Sequence, residues 1–318
     1  MKLRKDKKVR KQFKIGMVFF CMASAIFAVF ALISTAGSGT VENLTVYVVN
    51  YPLKYFAERI AGDHVRVVFP APPDCDPAYW VPDVKTIGAY QKADLILLNG
   101  ANYAKWVRKV SLPRSRMVDT SAKFKDRYIT AEEAVTHSHG AKGAHAHESL
   151  AFTTWLDFDL ASKQAKAVAK ALGRKRPKLH DTFEENYGAL EKDLMALDRE
   201  IKAIVSKNPT LSLLASHPVY DYLSRRYGLN MQSVHWEPNE IPDAEQWIQL
   251  KNILKSHPAK WMIWEGHPIK TSVDGLKSLR VSSLVFNPCG NRPEKGNFLT
   301  VMRKNMENLK AAFQPHLK

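Results

Sequence analysis

Four histidines within eleven consecutive positions are the residues of this chain best suited to chemistry. They form two His-X-His pairs, at His137, His139, His145 and His147, and make up four of the eleven histidines in the sequence. A neutral imidazole is a good ligand for zinc, copper or nickel, and a short histidine-rich tract is a metal-binding composition. Glycines and other small residues between the pairs disfavour a packed helix or strand. We therefore expect exposed, mobile imidazoles that capture and transfer a metal ion.

The first forty residues indicate where this chemistry takes place. Residues 1–14 contain eight lysines and arginines and one acidic residue, and an uncharged run of 22 residues follows from Ile15 to Ala36. A basic segment before a long apolar run is an export signal of the positive-inside type. Its length is close to the roughly 20 residues that span a bilayer, so residues 1–38 are expected to form a membrane anchor or signal helix. Cleavage after Ala36 is the open alternative.

The net charge of the chain and the distribution of its basic residues limit the kinds of partner that it is expected to bind. The chain has a formal net charge of +16, and the basic residues beyond the export segment are spread over helix-like segments. They lack the interleaved aromatics and compact basic motif of a nucleic-acid site, which favours solvated helix faces. We therefore expect no nucleic-acid partner, contact with the membrane through the N-terminal segment, and a monomer.

Short apolar runs alternate with helical patterns through the rest of the chain. The runs predict buried strands at 44–50, 65–69, 95–98, 211–215, 261–264 and 283–286. Stretches between them, such as 52–61 and 243–255, have the composition of helices. This alternation predicts α/β domains with largely parallel sheets.

One segment departs from the alternation. From Leu179 to Ile204, apolar residues recur every three or four positions with charges between them, and Pro177 stands just upstream. The spacing predicts a single helix of about 28 residues, roughly 40 Å long, which could join two lobes. The predicted segments after residue 38 are an N-terminal lobe at 39–160 with a His-rich loop at 136–148, linking helices at 161–207 and a C-terminal lobe at 208–318.

Five short motifs carry information about the family. They are Ala93-Asp94-Leu95-Ile96-Leu97-Leu98-Asn99-Gly100, Trp155-Leu156-Asp157, Ser216-His217-Pro218-Val219-Tyr220-Asp221-Tyr222, Arg226-Tyr227-Gly228-Leu229 and Asn287-Pro288-Cys289-Gly290. In this order, and with the long helix between them, they resemble the periplasmic substrate-binding proteins of zinc and manganese ABC importers. The resemblance covers nearly the whole chain after Gly39. It implies two α/β lobes around a cleft, joined by the long linking helix, with a metal ion held between the lobes.

The resemblance also implies four metal ligands, three histidines and a carboxylate, and this chain departs from that set. His217 matches one family histidine. The other three positions are occupied by Ala78, in an Asp-Pro-Ala segment where the family has Asp-Pro-His, by Thr153 and by Asn287. High-affinity zinc sites use anionic or imidazole ligands in a closed tetrahedral set, so these residues predict a divergent site.

One interpretation is that other donors rebuild the site. The candidate metal ligands are His217, Glu265, His267 and the loop histidines His137, His139, His145 and His147, which would fold over the cleft. Glu265 follows a predicted strand, where the ligand-contacting loops of α/β sheets gather. This interpretation predicts zinc as the cargo, with copper and manganese as alternatives. It also predicts an ABC permease in the inner membrane as the partner, met on the periplasmic side.

A second interpretation is that the cleft has lost tight metal binding. It would then bind a partner or another ligand, with the His-rich loop as a metal buffer or sensor, and an apolar cleft could be lined by Trp80, Trp155, Trp236 and Trp264. An enzyme, such as a zinc hydrolase with Glu265 as its base, is not expected. The chain has no His-Glu-X-X-His, no Gly-X-Ser-X-Gly and no glycine-rich phosphate loop.

Two cysteines flank the positions at which the family pattern fails. Cys75 precedes the Asp-Pro-Ala segment, and Cys289 lies two residues after Asn287. The family fold would place both beside the cleft, from opposite lobes. Three alternatives stay open for them: a disulfide across the cleft, soft thiolate metal ligands, or two buried small residues.

Overall fold

The structure is a computed structural model that describes residues 44–130, 136–138, 144–146 and 150–314. The N-terminal lobe contains β1 (Leu44–Val48), α1 (Tyr51–Ala61), β2 (Val65–Val68), α2 (Val84–Lys92), β3 (Leu95–Leu98) and β4 (Met117–Asp119). A strand pair and two helices follow, namely β5 (Thr136–Ser138), β6 (Ala144–Ala146), α3 (Phe158–Lys175) and α4 (His180–Val205). The C-terminal lobe contains β7 (Ser212–Ala215), α5 (Asp221–Tyr227), β8 (Asn230–Ser233), α6 (Ala244–Ser256), β9 (Trp261–Trp264), α7 (Lys270–Ser278), β10 (Ser282–Val285) and α8 (Phe298–Phe313).

The sheet of the N-terminal lobe is parallel throughout, with strand order β2-β1-β3-β4. Its central strands are mostly apolar, and Val46 and Ile96 are fully buried, as expected for a parallel sheet covered by helices. Asn50 ends the first strand and begins α1, because its side chain accepts a hydrogen bond of 3.1 Å from the Leu53 N–H.

The C-terminal lobe has a second parallel sheet, with strand order β10-β9-β7-β8. Two of its helices begin at side-chain caps: Asp243 and Gln246 form a capping box at α6, and Asn297 caps α8. Because all strands of a parallel sheet run the same way, their carboxyl ends meet at one edge. The loops that leave such an edge are where α/β proteins bind ligands.

The predicted long helix is confirmed as α4, which has 26 residues and follows a 3-10 turn at Pro177–Leu179. Its buried side chains recur every three or four positions, as the sequence predicts: Phe183, Tyr187, Leu190, Leu194, Leu197, Ile201 and Ile204. The helix contacts α1, α3 and α8. It therefore packs against helices that belong to both halves of the chain and serves as the spine between them.

The His-rich segment forms a short antiparallel strand pair in which His137 lies opposite His145. The expectation that this segment would contain no strand is wrong, because two short strands need only backbone pairing, which glycines do not prevent. His139 and His147 lie outside the described residues. The base of the segment is closed by a bridge between Thr130 and Leu150.

The predicted fold class, two lobes with parallel sheets joined by a long helix, is confirmed. The six predicted strands are present, whereas β4 and β8 were missed because edge strands of three or four partly polar residues carry little periodic signal. Residues Asn43–Lys318 form one compact unit, and the finer segment boundaries stay predictions. None of the helices in the described ranges has the length and apolar composition to cross a bilayer, and the predicted anchor at 15–36 lies outside those ranges.

Candidate metal centre at the carboxyl edge of the C-terminal lobe

Four donor side chains follow three adjacent strands of the C-terminal sheet. His217 lies after β7, His235 and Glu237 lie after β8, and Glu265 lies after β9. Since β7 stands between β8 and β9 in the sheet, the loop of His217 is flanked by the loops of the other donors. Sequence reasoning identified His217 and Glu265 as candidates and missed His235 and Glu237. The available signal was the His-Trp-Glu triplet, which follows a strand that was not recognised.

His217 lies in contact with two of these donors. Its Nε2 is 3.8 Å from Oε1 of Glu237, and its side chain is only 15% exposed. Its ring meets that of His235 edge to face, with ring centroids 5.7 Å apart and planes at 86°. The hydroxyl of neighbouring Ser216 is buried and makes no hydrogen bond to a described residue. Two imidazoles and a carboxylate are thus gathered beside an unused hydroxyl group.

The carboxyl of Glu265 is influenced by two other negatively charged side chains. Burial, the largest cause, and the negative charges of Glu237 and Asp76 together raise the pKa of its carboxyl to about 8. The loops of Glu237 and Glu265 are held together because the Ile269 N–H donates a hydrogen bond of 2.9 Å to the Pro238 carbonyl. A carboxyl group held among like charges is therefore set to bind a proton or a cation.

The N-terminal lobe adds Asp76 to this group. Asp76 is exposed as a residue, yet desolvation by the protein around its carboxyl raises its pKa, while the hydrogen bond from the Ala78 N–H and the charge of Lys105 act in the opposite direction. Among the side chains in the described ranges, no three His, Cys, Asp or Glu residues already stand in a metal-binding arrangement. The donors are collected at one edge and would have to turn toward a shared ion.

Comparison with known proteins identifies the family. Residues 46–312 match the family described as ZnuA, zinc-uptake complex component A, periplasmic. The chain belongs to this family. It is a substrate-binding protein of a metal ABC importer and not an enzyme, as the sequence predicts, and the family description places it in the periplasm.

Relatives and solved structures support this placement. The chain is 25% identical over 289 residues to the high-affinity zinc uptake system protein ZnuA of Bacillus subtilis, across 87% of this chain and 90% of that protein. It is 26% identical over 293 residues to the manganese ABC transporter substrate-binding lipoprotein PsaA of Streptococcus pneumoniae, across 89% of this chain and 84% of that protein. It is 24% identical to the zinc-binding protein AdcA of Streptococcus pyogenes, across 86% of this chain and 56% of AdcA.

Two crystal structures show the same fold. The metal-dependent lipoprotein YcdH of Bacillus subtilis has a TM-score of 0.72 at 22% identity, across 85% of this chain and 98% of that one. The Zn(II)-bound ZnuA-like domain of Streptococcus pneumoniae AdcA also has a TM-score of 0.72 at 22% identity, across 85% of this chain and 99% of that one.

The three positions where this family member departs from the implied ligand set have structural roles. Ala78 is fully buried. The Thr153 hydroxyl donates a hydrogen bond of 2.7 Å to the Val219 carbonyl of the opposite lobe. The Asn287 side chain accepts a hydrogen bond of 2.7 Å from the Cys289 N–H, which closes a turn after β10. These side chains therefore act in packing, in a hydrogen bond between the lobes and in a turn.

The segment after Asn287 fastens the two lobes together. The Asn291 amide donates hydrogen bonds of 2.7 Å to the Pro72 carbonyl and 2.8 Å to the Cys75 carbonyl. The Trp155 indole N–H donates one of 2.7 Å to the Pro288 carbonyl. The lobes are joined here by direct hydrogen bonds between protein groups.

Both cysteines beside the cleft are free, so a disulfide is not formed. Cys289 is buried, and burial raises the pKa of its thiol to about 12. Cys75 is partly buried, and burial together with the charges of Asp76 and Asp74 raises its pKa as well. Neither thiol favours the thiolate form that binds a metal.

Three of the four tryptophans expected to line an apolar cleft are buried in the core. Trp155, Trp236 and Trp264 are at most 2% exposed, and the latter two belong to a core cluster beneath the C-terminal sheet. Trp80 is partly buried against the main core. The expectation of an aromatic cleft is wrong for the three buried residues, since aromatics beside strands complete the core.

Proposed function

We propose that this protein captures a divalent cation, zinc in the first place, in the cleft between its lobes and delivers it to an ABC permease in the inner membrane. The observation that carries the proposal is the grouping of His217 with Glu237 and His235 at the edge of the sheet, in a chain of the ZnuA family. Imidazole and carboxylate are ligands that zinc uses in proteins. The zinc-binding relatives support zinc, and the manganese relative supports manganese as the alternative cargo.

The His-rich loop would make the first contact with the ion. Its four imidazoles, at His137, His139, His145 and His147, would collect a hydrated ion and pass it to His217 and Glu265. Neutral imidazole is the form that binds metal, and its ordinary pKa is about 6.5. Metal affinity is therefore expected to fall as the pH drops below about 6.5, because the histidines become protonated.

The N-terminal segment would hold the protein at the site of delivery. Residues 1–14 are basic and 15–36 are uncharged, so the segment would either anchor the chain on the periplasmic side of the inner membrane or direct its export. Lipoprotein relatives support attachment to a membrane, although by a different chemical route.

Calorimetric titration of the full-length chain in mild detergent tests this proposal. Zinc, copper(II) and manganese(II) are titrated into the wild type, into His217→Ala, and into a variant with glutamine at all four loop histidines. We expect one tight zinc site per chain that survives the loop substitutions and weakens in His217→Ala. Equal zinc affinity in the wild type and His217→Ala would show that zinc does not bind at His217 in the cleft. Binding that disappears with the loop histidines would leave the cleft to another ligand and the loop as a metal buffer.

A further inference from the structure

The two lobes have the same strand arrangement, and an edge strand in each leads into an equivalent segment. The edge strands β2 and β8 are the second strands of their lobes, and each pairs with the first strand of its lobe, β1 or β7. The chain then continues into α2 and α6. We call residues 70–84 the first rim segment and residues 234–248 the second rim segment. A feature that both segments share therefore occurs at equivalent places in the two lobes.

Both rim segments contain an aliphatic residue followed by proline and aspartate, Val81-Pro82-Asp83 in the first and Ile241-Pro242-Asp243 in the second. Each aspartate caps the helix that follows by accepting a backbone hydrogen bond, of 2.7 Å at Asp83 and 2.8 Å at Asp243. Both prolines are buried, whereas Val81 and Ile241 are 71% and 67% exposed. A buried proline and a helix cap thus fix the backbone beside each aliphatic side chain, which is presented to solvent.

In the part of the chain that the structure describes, large hydrophobic side chains are exposed only in the two rim segments. The exposed residues are Tyr79, Val81, Val84, Ile241 and Ile248. Single hydrophobic residues scattered over a surface are ordinary, whereas a concentration of them with polar neighbours is typical of an interaction site. Because the five residues fall in two equivalent segments, they favour a partner that covers both segments.

The rim segments are acidic, although the chain as a whole has a formal net charge of +16. Neither segment contains a lysine or an arginine, and together they contain Asp74, Asp76, Asp83, Glu237, Glu240, Asp243 and Glu245. Apolar side chains among acidic groups are complementary to an apolar pocket with lysine or arginine at its rim. The same charge disfavours contact with acidic lipid headgroups, which attract basic segments.

Both rim segments border the cleft between the lobes. The first is tied to the opposite lobe, because the Asn291 amide donates a hydrogen bond of 2.8 Å to the Cys75 carbonyl. The negative charges of Asp76 in the first segment and Glu237 in the second both raise the pKa of Glu265. The two segments therefore approach one carboxyl group from opposite lobes. Their exposed hydrophobic residues belong to the two sides of the cleft from which an ion would be delivered.

We propose that Val81 and Ile241, with the exposed hydrophobic residues beside them, are two equivalent docking contacts for the permease of the importer, one for each of two like permease subunits. The proposal rests on the proposed function and names the surface that the partner recognises. Because the contacts are equivalent, the partner presents the same pocket twice, as two subunits related by a two-fold axis do. Each pocket is apolar and has lysine or arginine at its rim. A two-fold dimer of this chain through the same segments is disfavoured, because acidic groups would face acidic groups.

Zinc uptake by cells of the bacterium that makes this protein tests the docking contacts. Each variant replaces the full-length chain, a strain without the chain gives the background, and the initial rate of uptake is measured with radioactive zinc at a limiting concentration. Val81→Ser and Ile241→Ser are each expected to lower the rate at least about fivefold, and the double variant further, because truncation of an apolar anchor weakens an interface. Val81→Ile and Ile241→Val exchange the residues of the two lobes and are the matched controls. They should keep the rate within about twofold of the wild type, because their shape is nearly retained.

Zinc calorimetry and urea unfolding of the same full-length variants separate docking from ion binding and from folding. Val81 and Ile241 are exposed and have no donor atoms in their side chains, so both serine variants should bind zinc and unfold as the wild type does. Slower uptake with unchanged zinc affinity supports the docking contacts. Uptake at the wild-type rate in the double serine variant, or a zinc affinity that falls together with uptake, overturns them and leaves the proposed function standing. If the wild type neither binds zinc nor raises uptake above the background, the proposed function itself fails.

Photocrosslinking in the same cells identifies what covers the rim segments. Photoreactive benzoylphenylalanine replaces Val84 in one variant and Ile248 in another, and these residues are 86% and 58% exposed. Irradiation is expected to join both positions to a permease subunit, identified by mass spectrometry. Adducts between two copies of this chain, or with lipid alone, would overturn the permease as the partner.

Removal of one exposed acidic residue from each rim segment tests the charge of the pockets. Asp74→Asn combined with Glu240→Gln is expected to lower zinc uptake about threefold, because charges at the rim of an interface speed the encounter. Asp63→Asn combined with Glu185→Gln makes the same change of charge at exposed positions outside the rim segments and should leave uptake unchanged. Equal rates in the two double variants would overturn the basic rim of the pockets.

Discussion

The hydroxyl of Thr153 donates a hydrogen bond of 2.7 Å to the carbonyl of Val219, two residues beyond His217, and so joins the two lobes. Thr153 is 5% exposed, which keeps water from replacing this bond. The Val219 N–H in turn donates a bond of 2.8 Å to the His217 carbonyl. A position that the family resemblance assigns to a metal ligand thus fastens the segment that carries the remaining histidine.

Thr153→Val should destabilise the protein by about 1–2 kcal/mol. Valine has nearly the same shape but cannot donate, so the buried Val219 carbonyl loses its side-chain partner. Urea unfolding of the full-length chain measures the change in the free energy of unfolding. Thr271→Val, at an exposed position on α7, is the matched control and should change stability by less than about 0.5 kcal/mol. Similar values for the two variants would show that the bond between the lobes contributes nothing.

Arg226 lies against two buried carboxylates, and its removal should be costly. Its Nε is 2.9 Å from Asp198 and 3.6 Å from Asp157, and those side chains are 6% and 1% exposed. Although burial opposes it, hydrogen bonds from Arg226 and Lys202 hold the pKa of Asp198 below its usual value. Arg226→Met is expected to cost about 2–3 kcal/mol at pH 7, because it takes one cation away from two buried carboxylates and leaves Asp198 with Lys202 and Asp157 with Arg127.

The loss of stability in Arg226→Met is expected to change with pH in one direction. With Arg226 present, the lowered pKa of Asp198 contributes stability that is complete above the unfolded value of about 3.9 and is lost as the pH falls through the folded pKa. Without Arg226, burial should raise the pKa of both carboxyls, so acidification relieves part of the penalty. Urea unfolding at pH 7, 5 and 4 should show a gap between the wild type and Arg226→Met that narrows toward acid. Arg303→Met, at an exposed position, should show no such trend. A gap that widens toward acid would contradict this account.

The two cleft cysteines should differ in reactivity. Cys75 is partly buried and Cys289 is 2% exposed, with burial raising the pKa of the Cys289 thiol to about 12. With a thiol reagent at pH 8, Cys75 should react more slowly than free cysteine, and Cys289 should react only after unfolding. Comparison of the wild type with Cys75→Ser and Cys289→Ser assigns each reacting thiol by difference. Native labelling of Cys289 at the rate of Cys75 would show that the end of β10 opens readily.

Local patterns were enough to predict the central strands and the spine helix of this fold. Apolar runs bounded by turn residues marked the central strands, and the three-to-four spacing from Phe183 to Ile204 marked the spine helix, because both signals are contained within a few neighbouring residues. The polar edge strand β8 carries no such signal, so the donors that follow it could not be placed. The prediction of an aromatic cleft was wrong for a related reason. The sequence shows that a tryptophan is apolar, but it does not show whether its side chain faces the core or the cleft.

The sequence by itself determined the α/β class, the long helix, the family and one donor that matches the family pattern, His217, because each depends on residue types at short spacing. Only the tertiary structure decided which donors meet. The order of strands in the C-terminal sheet places β7 between β8 and β9, and that order is set by pairing between segments that are distant along the chain. It brings the loops of Glu237 and Glu265 to either side of His217, because loops that leave adjacent parallel strands meet at the same edge of the sheet.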